Sequence, residues 1–399
     1  MIPSLYIHIP FCSQKCDYCD FFSVPENNIA TLQADLSYVD SLLEQTQFFV
    51  KKFKISSWKT IYVGGGTPSK LGGVALLKLI KGVKQAVNQT SEIEITVEVN
   101  PEDITENLIN NLRLAGVNRI SMGIQALCDK ALKAINRKCT EKQVISALEL
   151  LKLHWNKRLS VDFIAGLPRQ SINSFKEQFN KIFSYPVTHI SLYTLTVEEG
   201  TSLSNKIKKG EIKFSEENCD KMWNIGKNIL VKNGFAQYEV SNFSKKGEES
   251  VHNLTYWNLE NYIGIGSGGC SSVFGENGFR FTNTKNIPLF KEFWLSNKND
   301  YSLEELEEKK LLTLEKLSLQ TQEFEYLMMG FRKLSGISKN EFYKRFNKNI
   351  GDVLKENGGL FFEWIKEKKS VIEISENDER YCLTEKGIMF LNLFLESLL

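Results

Sequence analysis

From Leu5 to Tyr193 the sequence alternates short β-rich runs with longer amphipathic stretches, and most runs end in glycine, proline or asparagine. Leu5 to Ile9 stops at Pro10. Thr60 to Val63 runs into Gly64-Gly65-Gly66. Ile93 to Val99 stops at Asn100-Pro101, and Leu159 to Ile164 closes on Gly166-Leu167-Pro168. Arg119 to Ile124 and His189 to Tyr193 read as further strands. Between them, Thr105 stands as a helix N-cap before Leu108, Ile109, Leu112 and Leu114, and Glu141 to Leu153 reads as helix. Strands that alternate with helices form right-handed βαβ units, hence a parallel sheet, open or closed into a barrel.

The pattern then changes. Thr201 to Asn233 reads as charged helix, Phe235 to Val240 as a strand, and Gly264 to Gly269 as a glycine-rich turn. Lys291 to Lys316 reads as a charged helical connector. From Thr321 onward two or three helices precede a hairpin at Val371 to Ile374 and Arg380 to Leu383, then a last helix. The expectation is a partial (β/α) barrel over 1–205, an accessory α/β region over 206–290, and a helical, winged-helix-like module over 291–399.

Fifty basic residues against 48 acidic ones leave a net charge of +2. That balance argues against a nucleic-acid coat or a polybasic membrane binder. Twenty-six Phe and 13 Tyr supply core and argue against disorder. No apolar run nears the roughly 20 residues that span a bilayer, and the N-terminus has no signal-peptide pattern. The expectation is a cytoplasmic protein, peripheral to membranes at most, for which the sequons at Asn88, Asn242 and Asn253 carry no weight.

Cytosolic thiols stay reduced, so clustered cysteines there read as metal ligands. Of eight cysteines, Cys12, Cys16 and Cys19 sit together directly after the first strand. Three thiolates in one loop hold three irons of a cubane cluster and leave the fourth open. The alternative is a zinc knuckle with His8 as fourth ligand. Gly64-Gly65-Gly66-Thr67-Pro68 is either a plain strand-to-helix turn or a cradle whose bare N–H groups bind a carboxylate. Most candidate residues fall at strand C-terminal ends, where parallel barrels keep their active sites.

The stretch Tyr6-Ile-His-Ile-Pro-Phe-Cys12-Ser-Gln-Lys-Cys16-Asp-Tyr-Cys19-Asp20-Phe21 resembles the signature of radical S-adenosylmethionine (SAM) proteins. More closely, it resembles the subfamily of oxygen-independent coproporphyrinogen III dehydrogenases and HemW-type heme chaperones. The resemblance implies a TIM-like partial (β/α)6 barrel and a [4Fe-4S] cluster on Cys12, Cys16 and Cys19. It implies SAM at the open iron, contacted by Tyr6, Tyr18, Gly65, Gly66, Thr67 and Glu98; Gln125, Arg137 and Asp162 are further SAM-binding candidates, matching residues that contact a second SAM in the dehydrogenase branch. If SAM is cleaved, the chemistry is reductive cleavage to a 5′-deoxyadenosyl radical.

Two features separate the branches. The dehydrogenase carries a fourth cysteine where Phe21 stands here, and a longer segment before its cluster loop. Both favour the chaperone branch, which would bind heme and pass it to an acceptor apoprotein; the dehydrogenase is the alternative. His252-Asn253-Leu254-Thr255-Tyr256-Trp257 resembles a chaperone motif and implies heme contacts from His252, Tyr256 and Trp257. The residues alone read equally as a hydrogen-bonded histidine beside core aromatics. Two departures stand out: Cys139 and Cys270 occupy positions where the family often has histidine, which makes Cys270 a further candidate for the heme iron.

Gly264, Gly266 and Gly269 fit a dinucleotide fingerprint, but a hairpin-like sequence follows where a helix is needed. Arg332, Lys333, Lys344, Arg345 and Lys348 suggest DNA binding by the C-terminal module. Interleaved acidic residues make a solvated helix face the better reading, and Leu383-Thr384-Glu385-Lys386-Gly387 resembles the family's C-terminal domain. No nucleic-acid partner is expected.

Overall fold

The computed structural model describes residues 1–25, 36–296, 299–357, 374–376, 379–384, 387–396 and 398. Six strands lie side by side in chain order: β1 (Ser4–Ile9), β2 (Thr60–Gly65), β3 (Glu94–Val99), β4 (Arg119–Gln125), β5 (Arg158–Ala165) and β6 (His189–Thr194). Each is parallel to the next. Helices such as Gly73–Gln85, Glu106–Ala115 and Glu141–His154 make the crossovers. Thr105 caps its helix by accepting the Leu108 N–H, as its sequence position implies.

A seventh parallel strand, β7 (Tyr262–Ile265), pairs with the free side of β1. Cys270–Val273, Gly278–Asn283 and Leu312–Leu317 continue from it as an antiparallel meander. Asn242–Ser244 and Ala236–Gln237 add an antiparallel hairpin beyond β6. The product is one open 12-stranded sheet. The glycine-rich turn feeds a strand, so the dinucleotide reading is excluded.

Two expectations need correction. Phe235 to Val240 is not one strand, because the chain turns back there: the Tyr238 N–H donates to the Asn242 carbonyl at 3.1 Å. The charged connector does hold the helices Ile287–Ser296 and Leu303–Glu308. Its last part, Leu312–Leu317, is instead an edge strand. Its charges face solvent, where an edge tolerates them.

The two faces of the parallel sheet differ. Leu5, Ile7, Ile61, Val63, Ile95, Val97, Ile120, Met122, Leu159, Val161, Ile190 and Leu192 are buried under the helices. Strand alternation sends the polar set the other way: Tyr6, His8, Thr60, Tyr62, Thr96, Glu98, Arg119, Ser121, Ser160, Asp162, His189 and Ser191. Parallel sheets are usually apolar on both faces. Here much of the polar face bonds within itself, as where His189 bonds Ser160 at 2.7 Å and Tyr238 at 2.8 Å, while the Thr96 hydroxyl has no partner.

The C-terminal module has its own core around Leu327, Phe331, Phe342, Leu354, Leu383 and Phe394. A three-stranded sheet, ordered Ile337–Ser338, Arg380–Leu383, Ile374–Glu376, forms its wing. The first part of the expected hairpin, 371–373, lies outside the described residues. The basic residues do not form a stripe. Lys333 bonds Asn258, Lys348 pairs with Glu323, Lys344 pairs with Glu341, and the Arg345 guanidinium covers the Tyr326 ring. Among the described residues no helix is long and apolar enough to cross a membrane.

Candidate functional site

At the C-terminal ends of β2 to β6 lies a cavity of about 590 Å³. Cys12, Cys16, Tyr18, Cys19, Gly65, Gly66, Thr67, Glu98, Gln125, Arg137 and Asp162 all line it. The strand ends explain this convergence. Each β-run stops at the same level of the sheet, and the residue at its stop faces the same space. Tyr6 is the exception among the residues assigned to SAM. It lies one layer down, with its hydroxyl 3.0 Å from His8 Nδ1 and its ring 6.2 Å from that of Tyr62.

The cysteine loop is anchored from below. Asp17 is buried; its N–H donates to the Ile135 carbonyl, its carbonyl accepts from Leu203, and Lys206 pairs with its carboxylate at 2.6 Å. Thr67 donates to Cys12 Sγ at 3.4 Å. Burial pushes the thiols of Cys12 and Cys19 up. His8 does not complete a zinc site. Its Nε2 is 2.9 Å from the Phe22 carbonyl and its Nδ1 is on Tyr6. Among the described residues no three His, Cys, Asp or Glu side chains converge on one point, as a single metal ion needs. A cubane asks instead that each thiolate reach its own iron.

The glycine-rich turn corrects one expectation. Its N–H groups are not bare. Gly65 donates to Glu98 Oε2 at 3.1 Å, Gly66 to the Ile9 carbonyl at 2.8 Å and Thr67 to the Phe11 carbonyl at 2.7 Å. The turn thus presents no free N–H at Gly65, Gly66 or Thr67 to a ligand. Glycine is still required there. Gly65 has φ +113°, and a Cβ on it would stand 2.7 Å from the His8 ring. A Cβ on Gly66 would stand 2.7 Å from the Phe11 carbonyl oxygen.

Charge in the cavity is arranged around two carboxylates and one guanidinium. Burial raises Glu98 to about 7, although Tyr62 and Gly65 bond its charged form. Burial likewise raises Asp162, opposed by hydrogen bonds from Ser191 and Ser121. Arg137 Nη2 donates to the Gly123 carbonyl at 2.6 Å and to Asn100 Oδ1 at 2.9 Å, and Nη1 lies 3.7 Å from Cys16 Sγ. Its Nε is buried without a hydrogen-bond partner. A buried donor left over beside three thiols fits an anionic cluster or a carboxylate. Gln125 has φ +62° at a bulge in β4, a strained conformation for a non-glycine residue.

Two participants escape a reading of the sequence. Asn100 links Arg137 to Thr67, to whose hydroxyl it donates at 3.3 Å; its place beside Pro101 marked it only as a strand terminator. Tyr62 donates to Glu98 at 2.6 Å, yet reads as an ordinary strand residue.

The residues assigned to heme lie elsewhere. His252 sits in the helix Val251–Trp257, which packs under the opposite ends of the strands. It is 1% exposed. Its Nδ1 bonds Thr60 at 2.7 Å and its Nε2 bonds Tyr256 at 2.9 Å. Burial lowers it to about 3, so it is neutral. Both ring nitrogens are committed, and neither reaches an iron from this position. Tyr256 meets Tyr262 edge-on at 4.8 Å, and Arg332 lies over Trp257 at 5.9 Å. Cys270 opens the strand beside β7, with its Sγ 3.8 Å from the Ser271 carbonyl and beside the Tyr262 phenol. Cys139 is buried.

Comparison with known proteins agrees with this geometry. The Radical SAM superfamily profile matches residues 6–182, and that of the HemN C-terminal domain matches residues 317–390. The heme chaperone HemW of Lactococcus lactis is 34% identical over 99% of this chain and 97% of its own length. The heme chaperone HemW of Buchnera aphidicola from Schizaphis graminum is 33% identical over 98% of this chain and 97% of its own. Among solved structures, the coproporphyrinogen III oxidase HemN of Escherichia coli, a radical SAM enzyme, superposes with TM-score 0.78 at 17% identity. It covers 100% of this chain and 90% of its own.

Proposed function

Because this chain belongs to the radical SAM superfamily and, within it, to the HemW heme chaperones, we propose that it binds heme and hands it to an acceptor apoprotein. The observation that supports this most is the end-to-end likeness to HemW proteins, 97% of whose length is matched. Phe21, 70% exposed at the cavity, stands where the dehydrogenase branch has a further cysteine. That weighs against the alternative of coproporphyrinogen III dehydrogenase.

In this reading Cys12, Cys16 and Cys19 hold a [4Fe-4S] cluster, which when bound supplies one-electron chemistry and an open iron for SAM. The other cavity residues orient SAM. Glu98 takes its ammonium group, Arg137 Nε its carboxylate, and Tyr18 lies against the adenine. Asp162 and Gln125 bound the far side. Three cysteines clustered as metal ligands suit a reducing compartment, and we place the chain in the cytoplasm. Among the candidates that carry an iron-ligating atom, His252 and Tyr256 commit theirs to Thr60 and to each other, so the axial-ligand proposal rests on Cys270.

The test is a hemin titration of anaerobic, cluster-loaded protein followed at the Soret band, then mixing with a heme-free acceptor. Saturation near one heme per chain, a Soret shift in Cys270→Ser and transfer to the acceptor are expected. Absence of saturable binding sinks the carrier reading. Joint formation of protoporphyrinogen and 5′-deoxyadenosine would move the chain to the dehydrogenase branch.

A further inference from the structure

The His-Asn-x-x-Tyr-Trp helix and the cysteine loop lie at opposite ends of the strands, yet one side chain spans them. Tyr62, in the middle of β2, donates its hydroxyl to Glu98 Oε1 at 2.6 Å. Its ring stacks on the His252 imidazole, centroids 4.8 Å apart and planes inclined by 25°. His252 is itself immobilised. Thr60 and Tyr256 hold its two nitrogens, and its backbone N–H donates to Glu94 Oε1 at 2.9 Å. Tyr6 flanks both rings, 6.2 Å from Tyr62 and 6.5 Å from His252.

A carboxylate on its terminal torsion turns easily. Two donors fix that of Glu98: the Gly65 N–H on Oε2 and the Tyr62 hydroxyl on Oε1. The Gly65 donor belongs to backbone held in the sheet. The Tyr62 donor is a side chain, and its ring is kept in place by the face of His252.

We propose that His252 is a positioning residue for SAM, holding the Tyr62 ring so that its phenol orients Glu98 toward the ligand's ammonium group. This rests on the reading above that Glu98 receives that group. It gives the motif a role that its buried, fully bonded histidine can perform without releasing either nitrogen.

The test is a double-mutant cycle on cluster-loaded protein, with dissociation constants from equilibrium dialysis. The probes are SAM and methylthioadenosine, which lacks the amino-acid end. Tyr62→Phe removes one charged, buried hydrogen bond and is expected to weaken SAM about tenfold while leaving methylthioadenosine unchanged. His252→Ala is expected to act in the same direction, and the double variant to be no weaker than Tyr62→Phe alone. His252→Phe keeps a ring against Tyr62 and is expected to stay near the parent affinity; it also serves if His252→Ala does not fold.

Additive losses, equal loss for both probes, no rescue by His252→Phe, or an unchanged affinity in Tyr62→Phe would overturn the proposal. Glu98→Gln separates the two levels. If it leaves SAM affinity intact, the assignment of Glu98 is wrong and the proposal falls with it. If it weakens SAM and Tyr62→Phe does not, the positioning role alone fails.

Discussion

The two ends of the parallel strands are built on opposite terms. At the C-terminal ends the backbone turns are strained, polar atoms are left over, and about 590 Å³ of space is open. At the N-terminal ends the helix Val251–Trp257 packs against the sheet, and although Trp257 Nε1 has no partner, the groups around Glu94 and His252 are tied together. Glu94 accepts from the N–H groups of Val251 and His252 at 3.1 and 2.9 Å and pairs with Arg158 at 3.4 Å. His252 and Ser4 bond across to Thr60 and Thr255. One end is arranged to receive a ligand and the other to hold the first end still. Chemistry at the upper end and stability at the lower is the division seen in barrels generally.

The largest effect expected at the upper end is loss of the cluster. Any one of Cys12→Ser, Cys16→Ser or Cys19→Ser is expected to abolish the iron–sulfur absorbance after reconstitution and SAM binding with it, while the melting temperature of the cluster-free chain barely moves. A cluster retained at full iron content in any of the three would break the division. At the lower end the balance reverses. Glu94→Gln leaves Arg158 and the helix N-terminus without their carboxylate, and a loss of about 2 to 3 kcal/mol in urea unfolding is expected, with cluster content unchanged.

Gly65→Ala sharpens the same comparison, because it strains the receiving end without touching a ligand atom. The new Cβ would press on the His8 ring at a φ of +113°. A cost of about 1 to 3 kcal/mol in unfolding free energy is expected, and a neutral outcome would show that the turn relaxes freely.

The smallest effect is in the pH dependence. Burial lowers His252 from 6.5 to about 3, so between those values only the unfolded chain takes up its proton, and this contribution falls away as pH drops below 6.5. Burial raises Glu98 from 4.5 to about 7, so there the native chain holds the proton, and that contribution is lost as pH rises through 7. Between pH 4.5 and 6.5 the two slopes oppose. In SAM-free protein, Glu98→Gln is therefore expected to lose stability on acidification more steeply than the parent, by up to about 1.4 kcal/mol per pH unit. Parallel curves would show that one of the two groups is not buried as described.

The upper end was the more legible in the sequence, for a physical reason. Four of the six strands there stop at glycine, proline or asparagine, and those punctuation marks stand beside residues that line the cavity. Six strands and the cysteine loop could be read from local pattern alone. Tyr62 could not, because alternation says which face a strand residue takes and not what it will meet across the sheet. His252 was legible as a motif but not in its place. Its position depends on β7 returning to pair with β1, a contact between residues more than two hundred and fifty apart, such as Tyr6 and Gly264. The strand Leu312–Leu317 was hidden by its own exposed charges. The bare N–H groups expected at Gly65 and Gly66 were spent on Glu98 and Ile9 once the strands packed.

The division between the ends is tested most directly by measuring heme and SAM binding side by side in cluster-loaded His252→Ala. The account predicts that hemin still saturates near one per chain with an unshifted Soret band, while SAM binds about tenfold more weakly. Loss of hemin binding with SAM affinity intact would contradict it, and would make the lower end a ligand site in its own right.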